Sequence, residues 1–192
     1  FLGAVENFFT KCAPAVFMGW SNLNFDRRMF HFNFFKGNRY PYATHSSPNS
    51  EHDGLHIARA AQTLNSETLK TELTEAGNPS LALESLSRMQ GFDTSASHTA
   101  YVDAQNSLKV LRIIKDKHKE NWDTFLKTST KTSVETFLKN EGIYSIFENV
   151  KGRNMMYLTG TLHPNHCFHP SYASWGYVWD LRRDPEPLLN LP

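Results

Sequence analysis

The sequence predicts an α/β domain as far as about residue 117, followed by the opening of a second, β-rich domain. Three observations lead there. Ala15-Val16-Phe17-Met18-Gly19-Trp20 is a short continuous apolar run, as expected of a strand covered on both faces. Around it, apolar residues recur at helical spacing in several segments up to residue 115. Beyond residue 117 the pattern gives way to runs rich in aromatic, β-branched and long apolar residues, the composition of strands.

Taken in order, Leu2, Val5, Phe8 and Phe9 give residues 2–11 a helical spacing, which Pro14 should interrupt. The strand at 15–20 follows. Residues 21–26 turn the chain into a Phe- and Met-rich helix over 27–35, ended by Gly37-Asn38. Residues 41–53, with two prolines and several Ser, Asn and His, read as a loop. Leu55, Ala58, Ala61 and Leu64 predict a helix over 54–64. Leu83, Leu86 and Met89 predict a short one that Gly91 stops. A longer helix runs from about 99 to 115, with Ala100, Ala104, Leu108 and Leu111 along one side. Short helical pieces at 122–126 and 133–138 precede strands at 143–147, 155–161 and 175–181.

With 192 residues, 40% of them hydrophobic and 20% charged, the composition is that of an ordinary soluble globular protein. No apolar run is long enough for a membrane span. Glu6 interrupts the apolar start and no basic head precedes it, so residues 1–12 are not a signal peptide. Cys12 and Cys167 suggest no disulfide framework, and a reducing intracellular setting is expected. A net charge of +1 makes no global case for a polyanionic partner. Between Lys109 and Lys139, however, eight Lys or Arg residues face four acids, which by itself reads as a solvated helical surface. A start at Phe1 rather than Met raises the expectation of a truncated chain.

Two local patterns could carry chemistry. Asn22-Leu23-Asn24-Phe25-Asp26 stands where a buried strand gives way to a helix, a favoured place for ligand and metal sites in open α/β sheets. Capping of the following helix is the alternative role for Asp26. The second pattern is His98-Thr99-Ala100-Tyr101-Val102-Asp103. Residues five apart on one helix diverge, so convergence requires His98 in the preceding loop and Asp103 in the first turns. Its alternative is a surface histidine and an acid at the positive end of the helix dipole. Together, Asp26, His98 and Asp103 are the residue types that metal-assisted phosphodiester hydrolysis needs. Carboxylates hold Mg²⁺ or Mn²⁺, and a neutral histidine takes the proton of an attacking water.

On these residues the chain resembles the DEDDh class of 3′→5′ exonucleases, and within it the bacterial exonuclease I family. Gly19-Trp20-Ser21-Asn22-Leu23-Asn24-Phe25-Asp26 is similar to the family's second motif, and His98 with Asp103 to its third. Pro41-Tyr42, Asp53-Gly54-Leu55, Pro79-Ser80 and Leu83-x-x-Leu86 follow in the matching order. His169-Pro170, Trp175 to Leu181 and Pro187-Leu188-Leu189 resemble the opening of the family's SH3-like barrel. The resemblance implies an incomplete ribonuclease H-like exonuclease domain over 1–117 and the beginning of an SH3-like domain over 118–192.

The resemblance further implies a 3′→5′ exodeoxyribonuclease that shortens single-stranded DNA to nucleoside 5′-monophosphates, with a role in DNA repair and recombination. Asp26 and Asp103 would be metal ligands for Mg²⁺ or Mn²⁺, and His98 the general base. Asn22 and Phe25 would shape the site or contact DNA, core packing being the other role for Phe25. The Lys109–Lys139 surface is a candidate wall of the DNA channel. A cytoplasmic, monomeric protein with single-strand DNA-binding protein as a partner, and no membrane association, is expected. The family's first motif, Asp-x-Glu on the first strand, has no counterpart, and the family's C-terminal helical domain is absent. Arg27-Arg28 stands where acids are often found, and the loop around Leu162–Phe168 is short. The 192-residue chain alone is therefore expected to be inactive. Competing readings are another DEDDh exonuclease (a proofreading subunit or an oligoribonuclease) and a non-catalytic domain that binds single-stranded nucleic acid. His163, His166, Cys167 and His169 offer zinc-type ligands at a spacing that matches no standard finger.

Overall fold

A computed structural model describes residues 1–95, 99–161 and 177–190, which divide into two compact units between Lys131 and Thr132. The first unit contains α1 (Leu2–Cys12), β1 (Val16–Gly19), α2 (Asp26–Lys36), β2 (Ser50–Asp53), α3 (Gly54–Leu64), α4 (Leu83–Met89), α5 (Ala100–Lys117) and α6 (Lys119–Lys127). The second contains most of α7 (Lys131–Asn140), with β3 (Ile143–Val150), β4 (Arg153–Thr161), β5 (Val178–Asp180) and α8 (Glu186–Leu189).

β1 pairs in parallel with β2, Val16 opposite Ser50 and Gly19 opposite Asp53. Its side chains alternate between two apolar layers, as the pleat of a strand requires. Phe17 packs edge-on against Phe9 of α1 at 5.0 Å, and Phe9 also meets Phe30 and Phe34 of α2. Met18 and Trp20 pack instead on the larger core formed by Ile57, Ala58, Ala61, Leu69, Leu81, Leu86, Val110, Leu111 and Ile114. The strand thus sits between helices on both sides, which is why its sequence is apolar throughout. The indole Nε1 of the half-buried Trp20 donates to the Leu81 carbonyl at 3.1 Å, so this donor is satisfied.

α3 has the predicted bounds. The Asp53 carboxylate accepts from the Leu55 N–H at its start, an N-terminal cap. Gly54 is required by a close approach: a Cβ there would lie 2.9 Å from the Gly19 carbonyl oxygen and 3.2 Å from the Trp20 ring. Gly54→Ala is expected to cost about 1–3 kcal/mol through overpacking, read as a lower urea midpoint. An unchanged midpoint would mean that strand and helix can separate freely.

Two expectations are corrected here. Residues 50–53, read as part of a loop, form β2. Ser50, Glu51 and Asp53 are buried despite their polarity, since each carboxylate finds donors. On α5 the core face is Asn106, Ser107, Val110, Leu111 and Ile114, whereas Leu108 is about half exposed. The Ala100–Ala104–Leu108–Leu111 stripe lines an open cleft instead. α6 packs on the first unit's core through Trp122 and Phe125.

The histidines of the first unit make its stability pH-dependent. Burial holds His45, His52 and His118 below the ordinary histidine range, the Glu51 carboxylate only partly offsetting this at His45. Above the unfolded value near 6.5 all three are neutral in either state, and their contribution is fully present. As pH falls below it, the unfolded chain binds protons that the folded one refuses, and stability drops. A urea midpoint lower at pH 5.5 than at pH 7.5 is expected; an equal or higher one would contradict it.

In the second unit, β3 and β4 form an antiparallel hairpin closed by Lys151 and Gly152. Their φ values of 50° and 82° suit the tight two-residue turn that matches strand twist. β5 adds antiparallel to β4. The three-stranded sheet is open, and no closed barrel is seen among the described residues. β5 is shorter than the predicted strand, whose residues 175 and 176 lie outside the described residues, as do residues 162–170 with the His/Cys cluster.

Candidate active site

A cleft of about 1130 Å³ opens in the first unit, larger than the roughly 300–1,000 Å³ of small-molecule pockets. Its floor is the whole of β1, and among the described residues the other edge of that strand has no pairing partner. Phe9 and Phe30 line one side and the apolar stripe of α5 another. Asp26 and Asp103, far apart in sequence, both line it, together with Asn22 and Phe25.

The first pattern, Asn22 to Asp26, is placed by the turn after β1. Ser21 takes a left-handed φ of 58°, uncommon for a residue with a side chain. Asn22 is 8% exposed, and its Oδ1, buried beside the cleft, has no hydrogen-bond partner. An acceptor left bare in this way costs free energy unless something donates to it. Phe25 is 67% exposed, which rules out its core-packing role, and it stands at the N-cap position of α2. Asp26 is therefore the first helical residue, and the cap makes no side-chain hydrogen bond, so capping does not account for this acid.

Asp103 lies in the first turn of α5, its N–H donating to the Thr99 carbonyl at 3.0 Å. That is where convergence with a preceding loop residue requires it. His98 itself lies outside the described residues, as does Ser97. Sequence reasoning missed Glu51 and Glu84 as cleft-lining acids and did not single out Arg112 and Lys115 as cleft-lining cations. The four-residue spacing of Asp103, Ser107, Leu111 and Lys115, with Arg112 three residues before Lys115, could have flagged that face.

The oxygen donors Asp26, Asp103 and Asn22 suit a hard divalent cation. Among the described residues, however, no group of three or more His, Cys, Asp or Glu side chains is close enough to hold a metal. An Asp-x-Glu does occur in the chain, at Asp184-Pro185-Glu186. It stands in the turn leading into α8, where the Glu186 N–H donates to Asp184 Oδ1, and not on a strand. Among the described residues no helix is long and apolar enough to cross a membrane.

Solved structures that share this fold include those of exonuclease I. No protein-family model matches the sequence. The chain is 26% identical over 174 residues to exodeoxyribonuclease I of Haemophilus influenzae, covering 90% of this chain and 37% of that protein. The crystal structure of E. coli exonuclease I in complex with a dT13 oligonucleotide matches 98% of the chain with a TM-score of 0.75 at 20% identity, covering 41% of that chain. A structure of an ExoI/SSB-Ct complex matches 98% of the chain with a TM-score of 0.71 at 20% identity, and 41% of its own chain is covered. The resemblance to the exonuclease I family is borne out, and the fold is shared with exonuclease I. The chain spans about two fifths of the length of the relatives it matches.

Proposed function

We propose that the full-length protein is an exonuclease I-like hydrolase that shortens single-stranded DNA from its 3′ end and releases nucleoside 5′-monophosphates. The observation that carries this reading is that Asp26 and Asp103 both line one cleft of a fold shared with exonuclease I. A bound pair of Mg²⁺ or Mn²⁺ ions would supply Lewis-acid stabilisation of the charge that builds on the phosphate. Asp26 and Asp103 would hold the cation. Asn22 Oδ1, buried and without a donor, would accept a hydrogen bond from water or from the terminal nucleotide. His98 would take the proton of the attacking water. The exposed ring of Phe25 offers a stacking surface for a base, and Arg112 and Lys115 offer phosphate contacts.

Two carboxylates are fewer than such a site uses. The free edge of β1 and the apolar α5 stripe beside it suit a further strand laid parallel in the cleft, and we assign the remaining acids to such a strand. The three-stranded sheet of the second unit is read as the opening of an SH3-like domain that helps enclose the DNA, and single-strand DNA-binding protein as a partner of the whole protein. The nuclease part is read as ending near residue 117, at the end of α5.

The test is digestion of 5′-labelled single-stranded DNA by the full-length protein with and without Mg²⁺. Stepwise shortening from the 3′ end, abolished by His98→Ala, is expected. The 192-residue chain alone is expected to give none. Faster hydrolysis of very short RNA than of long single-stranded DNA would move the assignment to an oligoribonuclease. A second reading, a domain that binds single-stranded nucleic acid without cutting it, is favoured by the lack of a three-ligand group among the described residues. Tight DNA binding without metal-dependent shortening by the full-length protein would establish it.

A further inference from the structure

Two buried acids of β2 take part in no step described so far. Glu51 and Asp53 are two residues apart, so both side chains leave the strand on the same side. That side meets the turn that joins β1 to α2. Asp53 is completely buried, and its Oδ1 accepts from the Ser21 N–H at 2.8 Å and the Leu55 N–H at 2.9 Å. Its Oδ2 faces the Leu23 N–H at 3.4 Å. The residue gripped most closely, Ser21, is the one held in the left-handed region, a conformation that persists only where its surroundings impose it.

Glu51 grips the other end of the same turn. Its Oε2 pairs with Arg27 Nε, and its Oε1 accepts from the Thr44 hydroxyl. Between the two grips lie Asn22 and Asp26, and the turn is closed by the Arg27 N–H donating to the Asn22 carbonyl at 2.9 Å. Glu51 also lines the cleft, which would suit a cation ligand, but its charge is already matched by Arg27 and its oxygens already bonded. Asp53 could reach a cation only by releasing both turn and helix.

We infer that Glu51 and Asp53 are positioning residues: together they clamp residues 21–27 at both ends and so set where Asn22 and Asp26 stand in the cleft. The inference rests on the reading of Asp26 as a cation-holding residue. Supporting groups of this kind typically change metal affinity or activity by about 10- to 100-fold when removed.

The test uses the full-length protein with Asp53→Asn, with Arg27→Glu and Glu51→Arg singly, and with the last two combined as a charge swap. Amide hydrogen exchange over residues 21–27 is compared with that of α3, Mn²⁺ binding is titrated by electron paramagnetic resonance, and kcat and KM are measured on single-stranded DNA. Each single change is expected to speed exchange in 21–27 while leaving α3 protected, to weaken Mn²⁺ binding by about 10- to 100-fold, and to lower kcat with KM unchanged. The swap is expected to restore all three. Unchanged exchange at 21–27, faster exchange throughout the unit, unchanged Mn²⁺ affinity, or a swap no better than either single change would each overturn the clamp. If Asp53→Asn does not fold, the swap series decides alone. If the unaltered protein neither binds Mn²⁺ nor shortens DNA, the functional reading fails, and the exchange comparison still decides the clamp.

Discussion

Asp103→Ala in the full-length protein is expected to reduce Mg²⁺-dependent shortening of single-stranded DNA by roughly 10³-fold. The size follows from the several kcal/mol that a bound metal contributes to stabilising transition-state charge, at about 1.4 kcal/mol per tenfold in rate. The fold should survive. Asp103 sits in the first turn of α5, lines the cleft, and is not among the buried residues of that helix. Losing its favourable interaction with the helix dipole costs only about 0.3–1 kcal/mol. The discriminating result is therefore a large loss of rate with little change in unfolding midpoint. Retained activity would remove Asp103 from the metal site, and a parallel collapse of stability would make the rate loss uninformative about chemistry. Asp103→Asn, which keeps the shape and removes the charge, should lose nearly as much rate.

The largest effect on stability is expected from Leu86→Ala. Leu86 is fully buried where α4 meets α3 and α5, among Ile57, Ala61, Val110 and Ile114. Its truncation removes apolar burial and leaves a cavity that the packed helices cannot close, which costs about 2–5 kcal/mol. At roughly 3 °C per kcal/mol the first unit should melt about 6–15 °C lower. The second unit shares none of that core, so a two-step melt in which only the first step moves is the expected signature. A shift below about 1 °C would mean that α4 is not part of the core's cooperative unit.

How much of this was legible in the sequence varies by element. α3 and α4 match their predicted bounds because their apolar spacing, the Asp53 cap and the Gly91 stop are local signals, readable without the rest of the chain. β1 was legible for the same reason: a strand covered by helices on both faces must be apolar throughout. β2 was not. Ser50-Glu51-His52-Asp53 carries no strand composition, and its burial depends on Arg27, Thr44 and the turn N–H groups. No periodicity encodes partners that far away in sequence. The α5 stripe misled because it is truly apolar at helical spacing, yet spacing gives a face without saying what the face meets.

The acids follow the same division. The sequence by itself determined that Asp26 follows an apolar strand and that Asp103 opens a helix, since strand, turn and helix start are written locally in residue type. Only the tertiary structure decided that these two acids share one cleft, that Phe25 is out of the core, and that Glu51 and Asp53 are bound up in holding the turn. Those outcomes depend on the packing of β1 between two helical layers. Packing sums contacts over distant parts of the chain, and a local pattern of residues cannot specify it.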